Sequence, residues 1–212
     1  MTDDVWSGLH KIYETKDWID KPSLFAEDAI SYFPPNGTVL DLGAGQGQDS
    51  RFFAEHGYTV ISTDIEDLAL EKSRAKLPAN LASSMTLQKV DLREALPFED
   101  NYFDAVYAHL SLHYFDASTT ARLFDQIHRV LKPGGILAFF TNSIDDPEYN
   151  TGTKLEDDFF QIEGASKRYF STETALQFAN KFTPILVDNN GETYKDSEKG
   201  IHNLIRFIGT RA

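Results

Sequence analysis

The sequence predicts a doubly wound α/β fold: a mostly parallel, seven-stranded sheet with helices on both faces and an antiparallel hairpin at its C-terminal end. Three observations carry that expectation. Apolar strands and amphipathic helices alternate from residue 38 to residue 141, the order that builds parallel strands joined by crossover helices. The strands themselves are nearly continuous apolar runs, as expected where both sheet faces are covered. The last two apolar runs, 185–188 and 203–208, are separated by Asn190-Gly191 and a polar stretch too short for a crossover helix, so they pair antiparallel.

Each element follows from local chemistry. A first helix opens at Pro22, where a missing N–H costs nothing, and ends before Pro34-Pro35. Strand 38–42 (TVLDL) runs into a glycine-rich turn, then a helix over 48–56 stopped by Gly57, then strand 58–63 (YTVIST), which together make a βαβ unit. A helix over 67–77 stopped by Pro78, a strand over 85–90 and a strand over 103–110 follow. In 118–131, Ala121, Phe124 and Ile127 mark a helical stripe that Lys132-Pro133-Gly134-Gly135 ends, and strand 136–140 comes directly after. Residues 142–168 are polar, acidic and rich in turn formers, a length expected of a functional loop, and a helix over 171–181 precedes the hairpin. No repeat, low-complexity tract or linker divides the chain, so 1–212 reads as a single domain with an N-terminal helical cap (1–35) and an insert (142–170) placed as a lid over the substrate.

Composition narrows the chemistry. With 33 Asp and Glu against 20 Lys and Arg, the net charge of −13 repels phosphate backbones, which argues against a nucleic-acid partner. No apolar run approaches the length that spans a bilayer, so no membrane partner is expected, and the acidic opening MTDDVWSGLH lacks a secretory pattern, which makes the cytoplasm the expected location. The chain has no Cys, which removes thiolate nucleophiles and thiolate metal sites. No His pair lies four apart within a helix; His109 and His113 are four apart at a strand-to-loop junction, and no metal is expected.

The chemistry concentrates at Asp41-Leu42-Gly43-Ala44-Gly45-Gln46-Gly47-Gln48-Asp49, between the first strand and first helix of the βαβ unit. Ligands of open parallel sheets bind at the carboxyl ends of strands, where glycines let them touch bare main chain. Asp64, 64 − 45 = 19 residues past Gly45, ends the next strand near the offset at which an acid reaches ribose hydroxyls. Glycine loop and acid together suit an adenosine ligand. The Gly-x-Gly-x-Gly spacing is one residue shorter than the dinucleotide fingerprint, and Asp41 sits where a pyrophosphate would be repelled. A carboxylate there favours S-adenosylmethionine, which has no phosphate and carries an ammonium and a sulfonium.

Five segments in order, VLDLGAGQG, TDIED, KVDLRE, FDAVYAHLSLHYF and LKPGG, resemble the motifs of the class I S-adenosylmethionine-dependent methyltransferases. Residues 6–23 and 45–65 look most like bacterial small-molecule enzymes of the tellurite-resistance and thiopurine kind, although Ala44 and Gln48 replace the Cys and Arg common there. The resemblance implies a Rossmann-like methyltransferase fold, S-adenosylmethionine as cofactor, S-adenosylhomocysteine as product and a small-molecule methyl acceptor. It implies that Gly43, Ala44 and Gly45 lie against the methionine part, that Asp64 holds the ribose, that Ile65 packs on adenine, and that Asp91 and Leu92 reach the adenine edge. His109 then ends the strand beneath the methyl group, and Tyr13 or Trp18 covers the cofactor. Asp91 has an alternative as a helix N-cap before Glu94, and Tyr13 and Trp18 an alternative as packing. His109, His113 and Tyr114 are the candidates for a general base. Phe159, Phe160, Tyr169 and Phe170 are candidates for an aromatic lid, with Lys167 and Arg168 facing an anionic acceptor. Two alternatives stay open, a non-catalytic S-adenosylmethionine-binding protein or subunit and a nicotinamide-dependent oxidoreductase, the latter disfavoured by the loop spacing, Asp41 and the antiparallel tail.

Overall fold

A computed structural model describes residues 16, 18–194 and 203–212; Tyr13 therefore lies outside the described residues. In chain order the elements are α1 (Leu24–Ala29), β1 (Thr38–Leu42), α2 (Gln48–Glu55), β2 (Thr59–Asp64), α3 (Asp67–Ala75), β3 (Met85–Lys89), β4 (Phe103–His109), α4 (Ala117–Val130) and β5 (Leu131–Thr141). Then come β6 (Thr153–Glu156), β7 (Phe159–Ile162), β8 (Ala165–Arg168), α5 (Thr172–Phe178), β9 (Phe182–Gly191) and β10 (Leu204–Arg211). The main sheet has seven strands in the order β3-β2-β1-β4-β5-β10-β9. β1 through β5 pair parallel, and β10 pairs antiparallel with both β5 and β9, so the expected doubly wound sheet and its reversed hairpin are both present.

Period-two alternation divides the strand residues between two cores. Leu40, Leu42, Val106, Ala108, Leu137 and Phe139 face the layer that holds α4 and α5, where Leu123, Phe124, Ile127 and Val130 form the buried stripe of α4. Their neighbours Val39, Ala105, Tyr107, Ile136, Ala138 and Phe140 face the other layer, against Phe25 and Ala29 of α1 and Phe53 of α2. A one-residue slip of any central strand would exchange the two sets, so burial on both faces fixes the register. The chain runs from β1 outward to β3 and then returns to β4 on the other side of β1. That reversal opens a crevice between the carboxyl ends of β1 and β4, the place where such sheets hold ligands.

Three expectations are corrected. The first helix begins not at Pro22 but after Ser23, whose hydroxyl accepts from the Ala26 N–H and caps α1; a 3-10 turn over Ile30–Tyr32 completes it. The run 132–135 does not separate helix from strand: β5 starts at Leu131, opposite Phe103, and a register shift then brings Ile136 opposite Ala105, so the glycines bulge the strand. Residues 142–170 are not an irregular loop. They fold into a second, three-stranded antiparallel sheet, β6-β7-β8, whose Phe160, Ile162 and Tyr169 bury against one another with Tyr149 beside them.

Candidate active site

A cavity of 310 Å³ occupies the crevice, and its wall includes Asp41, Gly43, Ala44, Gly45, Asp64 and His109. The glycines are there for conformation and for space. Gly43, Gly45 and Gly47 have φ of 70°, 57° and 73°, the left-handed region that side chains disfavour. A Cβ on Gly43 would lie 2.5 Å from the Ser111 Cβ, whose hydroxyl donates to the Leu42 carbonyl at 2.6 Å, so the loop from β1 packs directly on the chain leaving β4. Gly47 caps α2 from the left-handed conformation, and a Cβ there would run into Ser73. The result is a cradle of main chain that only glycine can form.

Asp64 ends β2 and grips this cradle. Its Oδ2 accepts from the Gly45 N–H at 2.8 Å and its Oδ1 from the Glu66 N–H at 2.9 Å. Each carboxylate oxygen accepts more than one hydrogen bond, so capacity remains for a diol on the cavity side. One charged side chain thus orders the loop and faces the ligand, and the spacing read from sequence is the spacing of this bond.

Two further carboxylates stand behind the loop. Asp41 is 2% exposed and accepts from the Ser50 hydroxyl at 2.6 Å. Burial, with the charges of Asp49 and Asp64 nearby, raises its pKa well above the ordinary carboxylate value despite the Ser50 bond. A buried acid in this condition is stabilised by a cation, which an ammonium or sulfonium supplies. Because the folded state holds the Asp41 proton more tightly than the unfolded chain, ionisation destabilises the fold: the penalty is absent below the ordinary carboxylate range, grows as pH rises through it and is full above the raised value. Asp41→Asn should therefore melt above wild type at pH 8, with the gap closing as pH falls toward 4, while losing affinity for a cationic ligand. Melting curves across this range check the sign; a gap that widens at low pH would contradict it.

Asp49, the second residue of α2, closes the segment singled out in the sequence, but its role comes only from the structure. It accepts from the Ser23 N–H at 2.6 Å, the Ser23 hydroxyl at 2.8 Å and the Tyr107 hydroxyl at 2.9 Å. This buried knot ties the N-terminal segment, α2 and β4 together, and its partners lie 26 and 58 residues away. No local pattern signals it. The segment so tied carries Trp18, Ile19 and Leu24 into the cavity wall, and Thr193 and Tyr194 reach it after β9.

The remaining expected residues divide. Ile65, Asp91, Leu92, His109 and Tyr114 line the cavity. No helix follows Asp91, so the N-cap alternative is removed: its carboxylate accepts from the Arg93 N–H at 2.9 Å and pairs with the Arg93 guanidinium at 2.7 Å, which holds its pKa below the usual range. His109 stacks on Phe140 with ring centroids 5.0 Å apart, and Leu110, at φ 53°, turns the chain sharply beside it. Backbone strain of this kind collects at ligand sites.

His113 does not join them. It is 2% exposed, absent from the cavity wall, and its Nδ1 lies 3.2 Å from the Thr141 hydroxyl. Burial, reinforced by the charges of Lys167 and His109, lowers its pKa to about 3. Such a group is a weak base, and the expectation of a catalytic His113 is corrected on both counts. Its folded pKa lies below its unfolded one, so the stability linked to it is complete above about pH 6.5 and is lost as pH falls toward about 3. Proton NMR should show no His113 imidazolium above pH 5, and His113→Phe should flatten the acid limb of the stability curve. An imidazolium midpoint near 6 would refute the assignment.

The aromatic lid is corrected as well. Phe159, Phe160, Tyr169 and Phe170 are all buried, and none lines the cavity. Lys167 pairs with Glu148 at 2.5 Å, and Arg168 pairs with Glu156 at 2.6 Å while donating to the Phe115 carbonyl at 3.1 Å. Arg168 holds the second sheet against the wall residue Phe115, Lys167 ties it to Glu148 within the same insert, and neither lines the cavity.

Fold and site together define a doubly wound protein whose cavity, at the carboxyl ends of β1 and β4, has the glycine loop and carboxylates that suit an adenosine ligand carrying cationic groups and no phosphate. Comparison with known proteins agrees. The methyltransferase-domain family matches residues 40–139. A protein of Synechocystis sp. described as an uncharacterized methyltransferase is 33% identical over 84% of this chain and 77% of its own. An uncharacterized methyltransferase of Mycobacterium tuberculosis is 34% identical over 59% of this chain, which spans only 49% of that longer relative. Among solved structures, a SAM-dependent methyltransferase from Methanosarcina mazei aligns with a TM-score of 0.74 at 20% identity, covering 87% of this chain and 96% of that one. The chain belongs to the methyltransferase family. The glycine cradle, the raised Asp41 and the Asp64 carboxylate fit S-adenosylmethionine as the group the cavity would hold.

Proposed function

We propose that this methyltransferase modifies a small-molecule acceptor held on the β4 side of the cavity. In this reading Gly43, Ala44 and Gly45 lie along the methionine part of the cofactor with Asp41 behind them, Asp64 takes the ribose hydroxyls, Ile65, Asp91 and Leu92 surround the adenine, and His109 sits beneath the reacting methyl. The cofactor supplies a methyl group on a sulfonium; the protein's part is position. Placing an acceptor atom in line and close to that carbon, in a site shielded from water, accounts for most of the rate. Proton removal, where the acceptor needs it, falls to His109 or Tyr114, the two candidate bases on the wall.

The observation that carries this reading is the Gly45 N–H to Asp64 bond at 2.8 Å on the cavity wall, which joins the two halves of a nucleoside site. The reading takes the chain as a single domain, in which Trp18 and Leu24 of the N-terminal segment line the wall and the 142–170 insert braces Phe115 through Arg168. The net charge of −13 favours a small molecule over a nucleic acid. No helix among the described residues is long and apolar enough to cross a membrane, and a cytoplasmic place of action is part of the proposal.

The test is incubation with methyl-labelled cofactor and a panel of thiols, phenols, amines, carboxylic acids and chalcogen oxyanions, alongside nucleic acid and denatured protein as macromolecular acceptors. Label in a small product supports the reading. Label only in macromolecules overturns it, and cofactor binding with no transfer to any acceptor favours the binding-module alternative.

A further inference from the structure

The stretch of cavity wall that follows β4 is fixed from two sides. Its first half rests on the main sheet: the Leu110 N–H donates to the Phe140 carbonyl at 2.9 Å and the Ser111 hydroxyl to the Leu42 carbonyl at 2.6 Å. Its second half rests on β8. The Arg168 main-chain N–H donates to the His113 carbonyl at 2.7 Å, and the Arg168 Nε donates to the Phe115 carbonyl at 3.1 Å. One residue thus holds the carbonyls on either side of Tyr114, which lines the cavity as one of the two candidate bases. The guanidinium that does this is itself held in place. Its side chain is 6% exposed and lies over the Phe159 ring, 5.0 Å from the centroid. Nη1 donates to the Asp157 carbonyl at 3.2 Å, and Nη2 pairs with Glu156 Oε2 at 2.6 Å. The same Glu156 oxygen accepts from the Ala117 N–H at 2.9 Å, so the pair also pins the first residue of α4. Three nitrogens of one plane directed at three acceptors make a fork that lysine cannot reproduce. Burying a charge in this way is a poor route to stability, because desolvation offsets much of the attraction. What Arg168 and Glu156 hold together is the chain from His113 to Ala117, whereas Gly43, Asp64 and Asp91 stand at the ends of β1, β2 and β3, on one side of β4 in the sheet.

We propose that Arg168 is a positioning residue for methyl transfer: from outside the cavity it sets Tyr114 and Phe115 against the acceptor by fixing the main chain around them. The inference rests on the proposed small-molecule reading and names a residue of the insert on which its rate depends. Without the side chain, the bond to the His113 carbonyl remains as a pivot and the Tyr114-Phe115 stretch can swing. A displacement of about 1 Å is enough to cost on the order of a hundredfold in rate.

Kinetics with methyl-labelled cofactor and the panel compound that wild type labels fastest, set beside thermal melts, test this in Arg168→Met, Arg168→Lys, Glu156→Gln and the double variant Glu156→Gln/Arg168→Met. Arg168→Met lowers kcat about ten- to a hundredfold, while the cofactor KM and the calorimetric affinity for S-adenosylhomocysteine stay within about twofold of wild type. Arg168→Lys keeps the charge without the fork and stays as slow. Glu156→Gln leaves a buried guanidinium without its counter-charge and melts below wild type, yet it keeps the Phe115 bond and most of the rate. Adding Arg168→Met to it removes the stranded charge, so the melting temperature rises while kcat falls to the level of Arg168→Met alone. Rate and stability therefore move in opposite directions across this pair. Rates that follow the melting temperature in all four variants reduce Arg168 to a structural role and overturn the proposal, as does an unchanged kcat in Arg168→Met. A tenfold loss of S-adenosylhomocysteine affinity in Arg168→Met also overturns it, because the residue then acts on the whole cavity. Wild type that binds S-adenosylhomocysteine but labels no compound of the panel overturns the small-molecule reading, and this inference with it.

Discussion

A Gly43→Val protein is expected to bind no measurable S-adenosylhomocysteine and to melt well below wild type. Two independent costs meet at this position. The backbone at φ 70° is left-handed, which costs a side chain about 1 to 2 kcal/mol and a β-branched one at the upper end. The new Cβ would also stand 2.5 Å from the Ser111 Cβ, and forcing extra atoms into packed structure costs about 1 to 3 kcal/mol more. The loop can relieve the contact only by moving off Ser111, and that motion carries Gly45 away from Asp64. Ser111→Gly in the same chain should recover the steric part of the stability loss but not the conformational part, so the double variant remains below wild type. Thermal melts and calorimetry of the four proteins separate the two terms. Full binding by Gly43→Val would show that the loop is not the cradle.

Asp64→Ala should weaken cofactor binding by about 1.5 to 3 kcal/mol, roughly ten- to a hundred-and-fifty-fold, the scale of charge-assisted hydrogen bonds. The fold should persist, because Asp64 lies at a strand end and the hydrogen bonds of β2 to β1 and β3 do not pass through its side chain. Part of the loss comes from the ligand contact and part from release of the Gly45 N–H. Asp64→Asn divides them: its amide oxygen can still accept from Gly45, so it should order the loop yet lose most of the charged interaction with the ribose. Calorimetry with circular dichroism as a fold control checks both variants. An Asp64→Ala affinity equal to that of wild type would remove this residue from the site.

How much of this was legible in the sequence depended on the range of the interactions involved. The βαβ unit could be read because β1 and β2 are buried on both faces over most of their length and carry consecutive apolar residues, Val39-Leu40 and Val60-Ile61, on either side of the glycine turn and helix. The reversed hairpin could be read because its connection is too short for a helix. The second sheet was read as a loop because β6 is exposed along its whole length, so TKLE carries no alternation for a pattern to detect. The bulged start of β5 was missed because Pro133, Gly134 and Gly135 are the residues that also end helices. In the site, Asp64 and the glycines were found because a fixed offset along one βαβ unit puts them in contact. The role of Asp49 was not, since Ser23 and Tyr107 reach it only after three separate elements have packed. His113 was misjudged for the opposite reason: its residue type suggests proton chemistry, and only tertiary burial removes it.

The placement of β10 between β5 and β9 bears on biosynthesis. Residues 204–211 are made after the other six strands of this sheet, yet they occupy an inner position with hydrogen-bonded neighbours on both sides. While the chain is emerging from the ribosome, the outer edge of β5 therefore presents unpaired amides beside the apolar Ala138 and Phe139, the kind of edge on which chains aggregate. Nascent chains stalled before residue 204 should be held by chaperones, and release should coincide with insertion of the final strand.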